Sequence, residues 1–175
     1  MKSLSWPSLL SLLSLPSLLV FLLLPACTKA PSPPNLKAAE VTRKAAVYLI
    51  ALEDKGAKGP AVGCGDSAVP VTVELPAPAP ALEGALSSLL AAGKSYESAG
   101  YYNALASSPL KVQRIERSGG AARIYLTGYL ELGGECDSPR VLAQLEQTVR
   151  QFEDVESVEV FLDEKPLADL LSGKG

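Results

Sequence analysis

Two short runs place a cysteine beside an aspartate and a serine: Cys64-Gly65-Asp66-Ser67 and Cys136-Asp137-Ser138. Brought to one place, Asp66, Ser67, Glu135 and Asp137 would offer oxygen donors of the kind that suit Ca²⁺ or a small polar ligand. The competing reading is structural: Ser138 caps a helix and the aspartates make turn hydrogen bonds, since no regular ligand spacing is present. A second group, Tyr96, Tyr101, Tyr102 and Asn103, falls in a 16-residue connection from Lys94 to Pro109. Tyrosine joins a large apolar body to a polar tip, which favours it at partner surfaces, glycans included. The alternative is a loop that folds its own tyrosines onto the domain. The chain contains no histidine, which excludes His-based triads, HExxH zinc sites and Cys/His zinc fingers. No Ser-x-x-Lys with a supporting site stands out. Gly119-Gly120 and Gly133-Gly134 read as turn glycines, not as a phosphate loop. The expectation is a non-enzymatic chain with no catalytic residue, resident metal or cofactor.

The remaining cysteine has different surroundings. Residues 1–26 carry only Lys2 as a charge, and Leu9 to Leu24 contains nothing but Leu, Ser, Pro, Val and Phe. A basic start, an apolar run and small residues before a cleavage point form a secretory signal, and Pro16 with several serines argues against a permanent membrane span. Leu24-Pro25-Ala26-Cys27 resembles the bacterial lipobox, in which the cysteine thiol is acylated, typically with palmitate-like chains. Each chain contributes ~0.8 kcal/mol per buried CH₂, so two or more give stable membrane anchoring. Cleavage would also remove Trp6 and Met1, the only Trp and Met. With Cys27 lipidated, Cys64 and Cys136 remain in an oxidising compartment, where a single disulfide is the natural outcome. A formal net charge of −3 leaves no electrostatic footprint for nucleic acid.

The elements that must position these residues follow from periodicity. Thr28 to Asn35 is a Pro/Ser tether, so the expected organisation is signal 1–26, lipidated Cys27 with tether to residue 40, and one domain over 41–175. Val41 to Leu52 is apolar on both faces, as in a covered strand. Val69, Val71, Val73 and Leu75 alternate, with Pro70 marking an edge or bulge. Leu82, Ala85, Leu86, Leu89 and Leu90 form a helical stripe, with Gly93 placed to end it in a left-handed conformation. Leu110 to Arg117 and Ala121 to Leu130 read as a hairpin, with a bulge or an end of pairing where Ile115 breaks step. Leu142, Leu145, Val149 and Phe152 give a second helix, with Arg140, Gln144, Gln147 and Gln151 largely outward. Val158, Val160 and Leu162 make a last strand. The order β-β-α-β-β-α-β predicts an α+β class, a single-domain sandwich with one mixed sheet and two helices on one face.

From Ala46-Val47-Tyr48-Leu49 to Leu167 the chain resembles the GerMN domain, the module of sporulation and spore-germination lipoproteins. The features that carry the resemblance are the Val47-Tyr48 strand, the helix Leu82 to Gly93 and the hairpin Val112 to Leu126. The unit from Gln144-Leu145-Glu146-Gln147-Thr148-Val149 through Val158 and Val160 to Lys165-Pro166-Leu167 adds to them. Gly63-Cys64-Gly65-Asp66-Ser67 with Val69-Pro70-Val71 is similar to the variant found in many non-sporulating envelope lipoproteins. The resemblance implies an extracytoplasmic binding or assembly module and brings no active site with it. The functional expectation is therefore a lipid-anchored, extracytoplasmic, non-catalytic envelope protein. Its partners would be the membrane, through the lipid, and another envelope protein or cell-wall component. The alternative is a small-ligand or cation receptor using the acidic disulfide end.

Overall fold

The computed structural model describes residues 43–75, 77–93, 95–96 and 100–173. The signal segment, Cys27 and the tether lie outside the described residues, as does the side chain of Tyr96. Residues Ala39–Gly175 form one compact unit. Its strands are β1 (Lys44–Ala51), β2 (Ala61–Val62), β3 (Asp66–Glu74), β4 (Ser95–Tyr96), β5 (Tyr101–Tyr102), β6 (Leu110–Ser118), β7 (Ala121–Gly128), β8 (Ser157–Leu162) and β9 (Lys165–Pro166). Its helices are α1 (Ala81–Ala91), α2 (Asp137–Arg150) and α3 (Leu167–Leu171).

The α+β class and the order of the main elements hold, but the strands divide between two sheets instead of forming one mixed sheet. The first sheet runs β2-β3-β1-β5-β4 and is antiparallel; the second runs β6-β7-β8-β9, with β7 and β8 parallel across the α2 crossover. The reason lies on β1. One edge pairs with β3 along its whole length, from Lys44↔Glu74 to Ala51↔Ser67. The other edge is taken by α2 before a strand can reach it. Gln151 accepts from the Ala46 N–H at 2.8 Å and donates to the Ala46 carbonyl at 2.6 Å. Thr148 Oγ1 accepts from the Tyr48 N–H at 3.0 Å, and Gln144 Nε2 donates to the Tyr48 carbonyl at 2.9 Å. Three α2 side chains thus substitute for a neighbouring strand, and β5 rejoins the edge only at Ile50↔Tyr102.

Gln144 and Thr148 are fully buried, so the expectation that Gln144 and Gln151 face solvent is corrected. The buried stripe of α2 is Val141, Leu145 and Val149, with Leu142 turned partly outward. Buried backbone polar groups need partners; a glutamine offers a donor and an acceptor from one side chain. Helices α1 and α2 both lie against β1, while α1 also meets β6 and α2 meets β8. The core is therefore continuous between the sheets, from Val47 and Leu49 through Leu86, Leu89 and Leu145 to Ile124, Leu126 and Val160.

Several local expectations are met. The hairpin β6–β7 turns at Gly119 and Gly120, both at positive φ (55° and 80°), as a type I′ turn requires. The register of β6 shifts between Val112 and Arg114, which is the expected bulge. Pro70 stands opposite Tyr48, whose backbone groups point to α2, so the Pro70 nitrogen faces the outer edge where no donor is needed. One expectation fails: α1 ends in an extended Ala92, not in a left-handed Gly93. Asn103 supplies the cap instead, its Nδ2 donating to the carbonyls of Leu89 (3.1 Å) and Ala92 (2.9 Å).

Candidate functional site

The disulfide Cys64–Cys136 is present, with the Cα atoms 5.9 Å apart, and ties the turn before β3 to the start of α2. It brings Asp66 and Asp137 to one end of the first sheet, where Arg140 lies between them. Arg140 Nε donates to Asp66 Oδ2 at 2.7 Å and Nη1 to Asp137 Oδ1 at 3.1 Å. The other oxygens are also engaged. Asp66 Oδ1 accepts from the Glu53 N–H at 2.8 Å, while Asp137 Oδ2 accepts from the Gly133 N–H at 2.7 Å and the Tyr102 hydroxyl at 3.1 Å. Burial pulls the Arg140 guanidinium down, but its hydrogen bonds to Asp66 and Asp137 outweigh this and hold its pKa above the ordinary value. Burial, then the hydrogen bond to Asp137, pushes the Tyr102 phenol up.

Asp66 and Asp137 are fully buried, and a guanidinium occupies the position that a cation between them would take. Two buried carboxylates on one partly buried guanidinium, its side chain 16% exposed, with every remaining carboxylate oxygen hydrogen-bonded, form a satisfied structural triad. Ser67 is not part of it: its hydroxyl donates to Asp54, which also accepts from the N–H groups of Gly56 and Lys58. The Ser67 hydrogen bond, against the effect of burial, and then these two N–H groups hold the Asp54 carboxyl below its ordinary range. Glu135 is exposed and takes no part in either group. Among the described residues, no three His, Cys, Asp or Glu side chains converge to hold a metal.

Ser138 is not the cap of α2. The helix begins at Asp137 with Cys136 at the cap position, and the Asp137 carboxylate reaches back to the Gly133 N–H, which favours a helix N-terminus electrostatically. A Cβ at Gly133 would lie 3.0 Å from Asp137 Oδ2, so a side chain there would crowd this contact.

The tyrosine connection is not a free loop. It contains the β4–β5 hairpin and the buried Asn103, Ala104 and Leu105. Gln144 Oε1 accepts from the Ala104 N–H at 2.9 Å and Gln144 Nε2 donates to Asn103 Oδ1 at 3.0 Å, so α2 holds this segment too. Tyr102 is spent on Asp137 and lies beside Arg140, 5.5 Å from ring centre to guanidinium. Tyr101 is half-buried against the core, with the Lys58 ammonium 5.4 Å from its ring centre.

The residues that sequence reasoning missed are Arg140, Gln144 and Thr148. A usable signal was their spacing: Val141, Gln144, Leu145, Thr148 and Val149 occupy inward positions of the same helical period.

The outward face of the second sheet carries one more group, a row of Arg114, Tyr125 and Phe161 across β6, β7 and β8. The rings stack with centroids 4.8 Å apart and planes 13° apart, and the Arg114 guanidinium lies 3.4 Å from the Tyr125 centroid. That separation equals one strand spacing, so the rings stand on edge over the sheet. Tyr125 is thus covered on both faces, by Phe161 and by the Arg114 guanidinium.

The domain is thus a two-sheet α+β unit in which a crossover helix seals a strand edge and the acidic cluster is consumed internally. The chain belongs to the Germane family, described as sporulation and spore germination, whose sequence model matches residues 46–168. The fold is that of the first GerMN domain of the sporulation protein GerM from Bacillus subtilis, at 19% identity and TM-score 0.52 over 71% of this chain and 86% of that one. The tandem GerMN domains of the same protein match at 18% identity and TM-score 0.54 over 77% of this chain. This chain spans 43% of the tandem structure. No curated protein matches the chain.

Proposed function

We propose that this chain is held on the outer face of a bacterial membrane by lipid on Cys27. Its Germane domain would act there as a non-catalytic binding and assembly module for another envelope component. The observation that carries this reading is the Asp66–Arg140–Asp137 triad. The most chemically equipped cluster on the domain is closed on itself, so function falls to surfaces. Membership of a family named for sporulation and spore germination supports a role in the envelope, and Leu24-Pro25-Ala26-Cys27 supports the anchor.

The test has two arms. In a bacterial host fed an alkyne analogue of palmitate, the full chain is expected to label and to fractionate with membranes, and Cys27→Ser to do neither. Label retained by Cys27→Ser would overturn the anchor. Photo-crosslinking across the domain surface in intact envelopes is expected to yield discrete adducts. Their absence at every surface position tested would overturn the binding reading.

A further inference from the structure

Among the described residues, five that carry side chains stand at positive φ: Glu53, Lys55, Cys64, Asp163 and Glu164. Asp163 and Glu164 make the turn between β8 and β9. The other three gather at the disulfide end. Glu53 and Lys55 lie in the loop after β1, and Cys64, at φ 65° and ψ 19°, lies in the turn before β3. The two segments are laced together: the Lys55 N–H donates to the Gly65 carbonyl at 2.7 Å and the Glu53 N–H to Asp66 Oδ1 at 2.8 Å. A left-handed conformation crowds Cβ against the following carbonyl oxygen, so such residues stay there only when their surroundings hold them. For Cys64 one of those holds is the covalent bond to Cys136.

The bond is also open to solvent. Cys64 is exposed and Cys136 half-buried, and exposed glycines accompany both: Gly63 and Gly65 flank Cys64, while Gly133 and Gly134 precede Cys136. A Cβ added at Gly65 or Gly134 would meet nothing within 4 Å, so no neighbouring side chain crowds those two positions. Strain and exposure together distinguish disulfides that exchange from those that resist reduction. The two sulfurs are not equivalent. Cys64 belongs to the exposed and strained side. Cys136 stands at the cap position of the 14-residue α2, where the helix dipole favours a departing thiolate. Of the carboxylates beside it in sequence, Asp137 is already paired with Arg140, and Glu135 is exposed and screened by solvent.

We propose that Cys64–Cys136 is an exchangeable disulfide, entered at Cys64 by the thiolate of a protein that carries two cysteines. The exposed glycines leave room for a polypeptide backbone to lie against the pair. The incoming thiolate attacks Cys64 Sγ. A disulfide forms between the carrier and Cys64, the Cys64–Cys136 bond breaks, and Cys136 leaves as a thiolate. The carrier's second thiol gives its proton to water and attacks the carrier sulfur of the mixed disulfide, which releases the Cys64 thiolate. Each of the two thiolates then takes up a proton from water. The domain is reduced by two electrons and the carrier is oxidised by two; the same route run backwards installs the bond. Once reduced, Cys64 is free to leave the left-handed region, and the turn that carries Asp66 loses its covalent tie to α2. The proposal stands on the disulfide itself and is independent of the binding role proposed above.

The test uses the full chain in detergent micelles, without denaturant. A thioredoxin whose resolving cysteine is replaced by serine serves as the trap, and reduced glutathione as the small-thiol comparison. Acid quenching and peptide mass spectrometry place each adduct. The trap is expected on Cys64 in about tenfold excess over Cys136, because access and leaving group govern which sulfur is attacked. Glutathione should choose the same sulfur, and the disulfide should be lost at a rate proportional to thiol across about a hundredfold range of concentration. A rate that levels off at high thiol would mean that the bond is reached only after the domain opens, and would overturn the proposal. Adducts shared equally between the two sulfurs, or placed on Cys136, would overturn it as well. Glutathione adducts without any captured trap would overturn the assignment of a protein carrier.

Discussion

Replacing Arg140 with methionine keeps the length of the side chain and removes its charge, which makes Arg140→Met the sharpest test of whether the disulfide end is structural. The variant leaves two carboxylates with no cation between them: Asp66, 0% exposed, and Asp137, 2% exposed. Each keeps some compensation, Asp66 from the Glu53 N–H and Asp137 from the Gly133 N–H and the Tyr102 hydroxyl. Removing one partner of a buried ion pair costs ~3–5 kcal/mol. Retained donors lower the cost at each carboxylate, while two are uncovered at once, so we expect about 4 kcal/mol. For a domain of this size, that corresponds to a fall in Tm of roughly 12–20 °C. The assay is urea denaturation of wild type and variant followed by far-UV circular dichroism, with a thermal scan of each. Calcium at millimolar concentration should leave the wild-type midpoint unchanged, because the guanidinium already neutralises both aspartates. A loss below about 1 kcal/mol, the range of exposed ion pairs, would refute the triad, and a calcium-dependent rise in the wild-type midpoint would return the site to ligand binding.

Gln144→Leu keeps the bulk but orphans the Ala104 N–H and the Tyr48 carbonyl. At ~1–3 kcal/mol for each buried unsatisfied group, its denaturation midpoint should report a loss of about 2–6 kcal/mol, whereas Gln147→Ala should lie within ~0.5 kcal/mol of wild type. Thr148→Val, nearly isosteric, should lose ~1–3 kcal/mol through the Tyr48 N–H. Reduction of Cys64–Cys136, or its replacement by alanines, opens a loop with a sequence separation of 72 residues and should lower unfolding free energy by about 4 kcal/mol in the chain-entropy treatment. An ultraviolet titration should place the Tyr102 phenol above its ordinary value, through burial and its hydrogen bond to Asp137. Its folded pKa is raised, so the stability it supports is complete below pH ~10 and is lost as pH rises through the elevated value. Tyr102→Phe should flatten that alkaline loss, and an unchanged alkaline profile in the variant would remove Tyr102 as its cause.

The parts of the fold that were legible in the sequence are those governed by one local period. The alternation Val69-Val71-Val73, the leucine stripe of α1 and the glycine pair of the β6–β7 hairpin each state their own structure. The division into two sheets was not legible, because it depends on which distant partner occupies the free edge of β1. Glutamine and threonine on a helix ordinarily read as a solvated face, yet Gln144, Thr148 and Gln151 point at a strand about 100 residues away in sequence. The candidate site was half legible. The pairing of Cys64 with Cys136 and the approach of Asp66 to Asp137 follow from composition and compartment. That a single arginine satisfies both aspartates follows only from where the first turn of α2 lies, since period alone puts Arg140 on the outward face. Tyr101 and Tyr102 are adjacent in sequence, but strand alternation sends Tyr102 to the triad and Tyr101 to Lys58.

The doubly held edge of β1 has a mechanical meaning. Any pull transmitted from the N-terminal side reaches β1 at Lys44, its first residue. There it meets the β3 ladder on one edge and the Gln151, Thr148 and Gln144 contacts on the other. Both sets of bonds run across the strand, so tension along its axis strains them all together in shear instead of peeling them one after another. The same α2 that carries these side chains is clipped at its start by Cys136 to the turn leading into β3. The strand that would bear the load is thus gripped between two elements that are themselves bolted to each other.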